Sequence, residues 1–215
     1  MAKIKICGLT RKEDIAAVNR CLPDYIGFVF AHGSRRRVTP GQAQQLKQEL
    51  DPRLRAVGVF TNETLPNIVR LCARGVIEMV QLHGDETEEY IRALREETAC
   101  PVIKAVRVQS AQQILQAQQS SCDLLLLDTY REGQYGGSGS TFNHALIPPL
   151  HKPFILAGGL DEQNIEKALT NCSPFAVDVS SGAETGGTKD ENKIRRLVAI
   201  TRVDKVDRGT GYLST

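Results

Sequence analysis

Two side chains able to move protons stand at the ends of apolar runs: Cys7 closes KIKIC (3–7) and Asp128 closes DLLLLD (123–128). A thiol and a carboxylate suit general base and general acid roles, because surroundings can tune either group to hold or release a proton near neutral pH. A buried carboxylate directly after four leucines needs a partner, so Asp128 either faces a cavity or caps a helix. Cys7 also reads as one more buried thiol, since free cysteine is among the most buried residue types. Gly158-Gly159 ends and follows FILAG (154–158), and Ser181-Gly182 follows AVDVS (176–180). Glycine lets an anion approach backbone N–H groups closely, so these two loops suit phosphate; plain turns are the alternative. Arg36, within Arg35-Arg36-Arg37, could grip a carboxylate through a two-point fork or belong to a solvated cluster. His83 follows EMVQL (78–82), and Arg107 lies in PVIKAVRV (101–108).

The remaining β-rich runs are YIGFVF (25–30) and RAVGVF (55–60), which makes eight, starting at 3, 25, 55, 78, 101, 123, 154 and 176. Most are continuously apolar, as parallel strands buried on both faces are. Seven helical stretches lie between and after them, with Thr10, Thr39, Ser110 and Asp161 as expected caps. The spacing predicts an α/β single-domain (β/α)8 barrel over 1–203, followed by a polar C-terminal tail at 204–215. An open doubly wound sheet would carry G-x-G-x-x-G after its first strand, where this chain reads CGLTRKED. In such barrels the active site lies at the C-terminal ends of the strands, where every residue named above falls. The stretch REGQYGGSGST (131–141) is long for a connection, and reads as a lid or as a flexible connector.

Composition narrows the partners. The 215 residues are 41% apolar and 24% charged, with a net charge of +2, so no field calls for nucleic acid or an anionic membrane. The N-terminus lacks a secretion signal, and the Leu124 to Leu127 run is far below the roughly 20 residues that span a bilayer. Six cysteines stand apart with no C-x-x-C pair, as reduced thiols of a cytoplasmic protein would. The four histidines and the cysteines lack metal-ligand spacing, so no metal is expected. No heptad seam specifies an oligomeric state.

In this order along the chain, KICGLT (5–10), GFVF (27–30) with SRRRVTP (34–40), QLHGDE (81–86), LLLLDT with GGSG (124–139), LAGGL (156–160) and DVSSGAE (177–184) resemble the phosphoribosylanthranilate isomerase family over almost the whole length. The resemblance implies a cofactor-free Amadori rearrangement of a small phosphosugar-anthranilate substrate. It implies Cys7 as general base, Asp128 as general acid and Arg36 on the anthranilate carboxylate. Gly158, Gly159, Ser181 and Gly182 would cradle the phosphate, and His83 would complete the substrate-binding set. To serve as a base, the Cys7 thiol is expected to ionise below the usual value of about 8.5. Ser140 stands where many family members have lysine, and Asn143-His144 replaces the commoner Asp-Trp. Indole-glycerol-phosphate synthases and pentose-phosphate epimerases are rivals whose lysine-glutamate or histidine-aspartate sets are missing from these strand ends. A non-catalytic phosphate-binding barrel would have no need of both Cys7 and Asp128.

Overall fold

The computed structural model describes residues 1–129 and 143–203. Eight parallel strands pair in sequence order: β1 (Lys3–Cys7), β2 (Tyr25–Val29), β3 (Arg55–Phe60), β4 (Met79–Leu82), β5 (Val102–Val108), β6 (Leu124–Thr129), β7 (Phe154–Leu156) and β8 (Ala176–Val179). β8 pairs back onto β1, so the sheet closes into a barrel as the strand spacing predicts. Around it run α1 (Lys12–Cys21), α2 (Pro40–Gln48), α3 (Leu65–Ala73), α4 (Glu88–Glu97), α5 (Ala111–Ala117), α6 (Ile165–Cys172) and α7 (Glu191–Arg202). Between β6 and β7 the described residues hold one short 3-10 turn, His144–Leu146. The glycine stretch 131–141, Ser140 within it, and the tail 204–215 lie outside the described residues. No described helix is long and apolar enough to cross a membrane.

What aims the functional side chains is the two-residue period hidden inside the apolar runs. In β6, Leu125 and Leu127 join the large cluster between sheet and helices. Leu124 and Leu126 instead fill the barrel interior with Tyr25, Val57, Met79 and Ile103. Asp128 takes the next inward place, which settles its two readings in favour of the cavity. β1 repeats the pattern, with Ile4 and Ile6 outward in the large cluster and Lys5 and Cys7 inward. Burial on both faces is what makes such strands look uniformly apolar in sequence.

Two of the expected helix caps form and two do not. Thr39 and Gln42 exchange hydrogen bonds in a capping box at the start of α2, and the Ser110 hydroxyl accepts from the Gln113 N–H in α5. Thr10 is not the cap of α1; that position is Arg11, and the Asp14 carboxylate accepts both the Thr10 and the Arg11 N–H, at 2.9 and 3.1 Å. A buried carboxylate three residues on is the stronger acceptor, so it displaces the hydroxyl. Asp161 closes a turn on the N–H groups of Gln163 and Asn164, and α6 starts only after Asn164. A small hairpin that the sequence did not suggest, β9 (Glu184–Thr185) with β10 (Thr188–Lys189), follows β8.

Candidate active site

A cavity of about 650 Å³ opens at the C-terminal ends of the strands. That size suits one small-molecule ligand. Cys7, Arg36, His83, Asp128, Gly158, Gly159 and Ser181 all line it, brought there by five strand ends and the loop after β2. Cys7 and Asp128 stand on strands separated by β7 and β8 one way round and by β2 to β5 the other. Arg107 does not line the cavity; it donates to Asp85 at 2.8 Å.

Two of the glycines have roles that can be read from what a side chain there would strike. Gly158 has φ +88°, and a Cβ on it would collide with the Thr129 hydroxyl and come within 2.9 Å of Asp128 Oδ1. Gly158 therefore clears room for the carboxylate on β6 as well as shaping its own loop. Gly182 does not line the cavity. A Cβ there would run into the Leu160 carbonyl and lie 3.0 Å from Asp161 Cα, so Gly182 is what lets the loops after β7 and β8 press together.

Asp128 is 5% exposed. Its Oδ1 accepts the Thr129 N–H at 2.7 Å, and its Oδ2 lies 3.3 Å from His83 Nε2. The tautomer of His83 follows from a chain of bonds running beneath it. The Lys5 ammonium donates to Gln81 Oε1 at 2.7 Å, and Gln81 Nε2 lies 2.9 Å from His83 Nδ1. An ammonium can only donate, so the amide turns its oxygen to Lys5 and its NH2 to the ring; Nδ1 must then accept. A neutral His83 consequently carries its proton on Nε2, facing Asp128.

Lys5 is fully buried on the barrel axis, and also donates to Asp178 Oδ2 at 2.8 Å. Burial alone would drive its ammonium toward neutrality, but Asp178 and the Cys7 sulfur outweigh it and its pKa is raised. Asp178 lines the cavity, and its Oδ1 is buried with no hydrogen-bond partner.

Cys7 departs from the sequence expectation. Burial pushes the thiol pKa up; Lys5 pulls it down, Asp178 pushes it up again and Lys189 pulls it down, with a net rise. The thiol is thus harder to ionise than a free one, because the cavity wall desolvates it more than the two lysines compensate. The other five cysteines are free thiols away from the cavity lining.

Arg36 is held by a fork of its own. Its Nε and Nη2 donate to the two oxygens of Glu184 at 2.6 and 2.9 Å, and Lys189 donates to the same carboxylate at 2.7 Å. Burial pushes Glu184 toward its neutral form, but Arg36 and Lys189 overcome this and hold it below the usual carboxylate range. The Arg36 side chain is 13% exposed against 63% for Arg35, and its Nη1 edge is left for a ligand. The three arginines are therefore not one solvated cluster.

Sequence reasoning missed Lys5, Gln81, Asp178, Glu184 and Lys189. Three of them carried a readable signal: Lys5 is two residues before Cys7, Gln81 two before His83, and Asp178 shares its strand face with Ser180. Glu184 and Lys189 depend on the hairpin, whose signal is the Gly186-Gly187 turn between them, both glycines at positive φ.

The chain is similar to known proteins along nearly its whole length. The family model for N-(5'-phosphoribosyl)anthranilate (PRA) isomerase matches residues 4–200. An N-(5'-phosphoribosyl)anthranilate isomerase of Endomicrobium trichonymphae is 46% identical over 202 residues, covering 94% of this chain and 99% of that protein. The crystal structure of phosphoribosyl anthranilate isomerase from Thermotoga maritima shares 35% identity at a TM-score of 0.83, covering 94% of this chain and 99% of that one. A further isomerase crystal structure, in complex with reduced 1-(o-carboxyphenylamino)-1-deoxyribulose 5-phosphate, has 32% identity and a TM-score of 0.77, covering 94% and 99%.

Proposed function

The chain belongs to the N-(5'-phosphoribosyl)anthranilate isomerase family and is an aldose-ketose isomerase of tryptophan biosynthesis; we propose that Cys7 and Asp128 are the base and acid of its reaction. The observation that carries this reading is that a thiol and a carboxylate from separate strands line one cavity. Ring opening of N-(5'-phosphoribosyl)anthranilate needs a proton on the furanose oxygen as the C1–O bond breaks, and Asp128 supplies it. The iminium that results acidifies the C2 hydrogen, which the Cys7 thiolate removes to give an enolamine. C1 then gains a proton and the C2 hydroxyl loses one, giving 1-(2-carboxyphenylamino)-1-deoxyribulose 5-phosphate. Returning one proton from Cys7 to Asp128 completes the cycle, so the balance is that of an isomerisation.

The substrate's two anionic ends give it its orientation in this reading. The phosphate lies on the loops of Gly158, Gly159, Ser181 and Gly182, and the anthranilate carboxylate lies on the open edge of Arg36. His83 stands beside Asp128 and faces the sugar. The six free thiols suit a cytoplasmic location. Purified protein given the substrate without added metal should consume its fluorescence; persistence of the fluorescence with folded protein would overturn the assignment.

Two further results are expected. Arg36→Ala should raise KM by about thirtyfold or more, the loss of roughly 2–3 kcal/mol that a charge-assisted fork supplies, with kcat little changed. Glu184 keeps Lys189 and Arg35 as partners, so the fold should persist. Arg35→Ala and Arg37→Ala should change KM less than about threefold, as exposed charges do; equal effects at all three would return Arg36 to the solvated surface. Gly182→Ala should part the two phosphate loops and raise KM by roughly tenfold, about 1.4 kcal/mol. Steady-state kinetics with unchanged KM would remove the cradle from this position.

A further inference from the structure

We propose that Lys5 is a positioning residue for proton abstraction: its ammonium, held against the Cys7 sulfur by Asp178 and Gln81, is the fixed countercharge of the thiolate. The inference rests on Cys7 being the base. Lys5 donates to Asp178 Oδ2 at 2.8 Å and to Gln81 Oε1 at 2.7 Å, which fixes its ammonium in the barrel interior two residues before Cys7 on the same strand face. Gly27 on the neighbouring strand makes the approach feasible, since the place a Cβ would take there is 2.7 Å from Cys7 Sγ and 3.2 Å from Lys5 Cε. Both side chains thus occupy the gap left by one missing methyl.

Packing alone does not explain a lysine at this position. The barrel interior around it is otherwise filled by residues such as Leu126, Ile103 and Met79, and a buried ion pair seldom stabilises a fold more than apolar side chains of similar volume. What an ammonium supplies here and an apolar chain cannot is a desolvated, immobile positive charge at the sulfur. The other charged or titratable groups facing Cys7 are Asp178 on β8 and Lys189 on β10, with Arg36 packed at Gly8 and with His83 and Asp128 in the same cavity. Of the charges acting on the thiol, Lys5 is the strongest, and it opposes the effects of burial and of Asp178.

The test reads Cys7 without turnover. Iodoacetamide is applied across a pH series, and carbamidomethylation of the Cys7 peptide is followed by mass spectrometry in wild type and variants. Lys5→Met should move the labelling midpoint alkaline by about one unit or more, slowing labelling about tenfold at any pH below it. The rising limb of kcat/KM should shift by the same amount. Asp178→Asn should move the labelling midpoint the other way. Because Lys5→Met leaves Asp178 buried without its cation, the double variant Lys5→Met/Asp178→Asn, which removes both charges, is compared with Asp178→Asn alone. The double variant should label at the higher pH of the two. Equal midpoints in that pair, or an unshifted midpoint in folded Lys5→Met, overturn the proposal. Failure of the base assignment would appear separately, as activity kept after Cys7 itself is replaced.

Discussion

Cys7→Ser is expected to lower kcat by about a hundredfold or more while leaving the protein folded and KM within a few fold. The fold should survive because the swap is nearly isosteric. The rate should not survive, because a serine hydroxyl at neutral pH supplies almost no alkoxide, even beside an ammonium. The net rise in the Cys7 pKa sharpens this expectation. A thiol that is harder to ionise gives a smaller thiolate fraction at pH 7, but each thiolate is a stronger base toward carbon. The sign of the pH dependence follows: kcat/KM should increase toward alkaline pH as the thiol of the free enzyme ionises, and that rising limb should be missing from the serine variant. Pre-steady-state mixing of the variant with substrate separates the steps, since ring opening by Asp128 does not need the thiol. A serine variant turning over near the wild-type rate would falsify the thiolate mechanism.

The barrel was legible in the sequence because its evidence is repeated: eight apolar runs recur at a βα period, and no single one has to be read correctly. Cys7 and Asp128 were legible as candidates because each interrupts or ends a run that hydrophobicity would otherwise continue. The layer under them was not, although Lys5 stands only two residues from Cys7. A lysine near the start of a strand is ordinarily a solvated end, and only the closed barrel turns that position into its axis, with Asp178 173 residues away as its counterion. Long-range pairing of that kind leaves no local pattern. Glu184, the last residue of DVSSGAE, acquires its role only when the hairpin brings it to Arg36. The direction of the Cys7 pKa was misjudged for a related reason. Positive helix ends and an iminium in turnover can be foreseen from the barrel and the chemistry, but desolvation depends on how strands β2 and β3 pack Val29 and Val59 against the sulfur.

Asp128→Asn is the variant expected to separate chemistry from binding most cleanly. The amide has nearly the volume of the carboxyl group, and Gly158 leaves the same clearance on its far side. The Thr129 N–H keeps its acceptor in the amide oxygen, and His83 Nε2, 3.3 Å from the other carboxylate oxygen, has no hydrogen bond there to lose. No hydrogen bond is lost and no charge is stranded, so stability should fall by only about 1 kcal/mol. An amide cannot release a proton to the furanose oxygen, so the closed sugar should bind and remain closed, with kcat reduced by roughly 10² or more. Affinity for a reduced product analogue, which is already open and needs no acid, should change by less than about threefold, and isothermal titration measures it directly. If that affinity falls in parallel with the rate, Asp128 serves the fold of the site through His83, Gln81 and Lys5 and not the ring oxygen. If affinity holds and the rate is lost, the proton that opens the ring is the one held at Asp128.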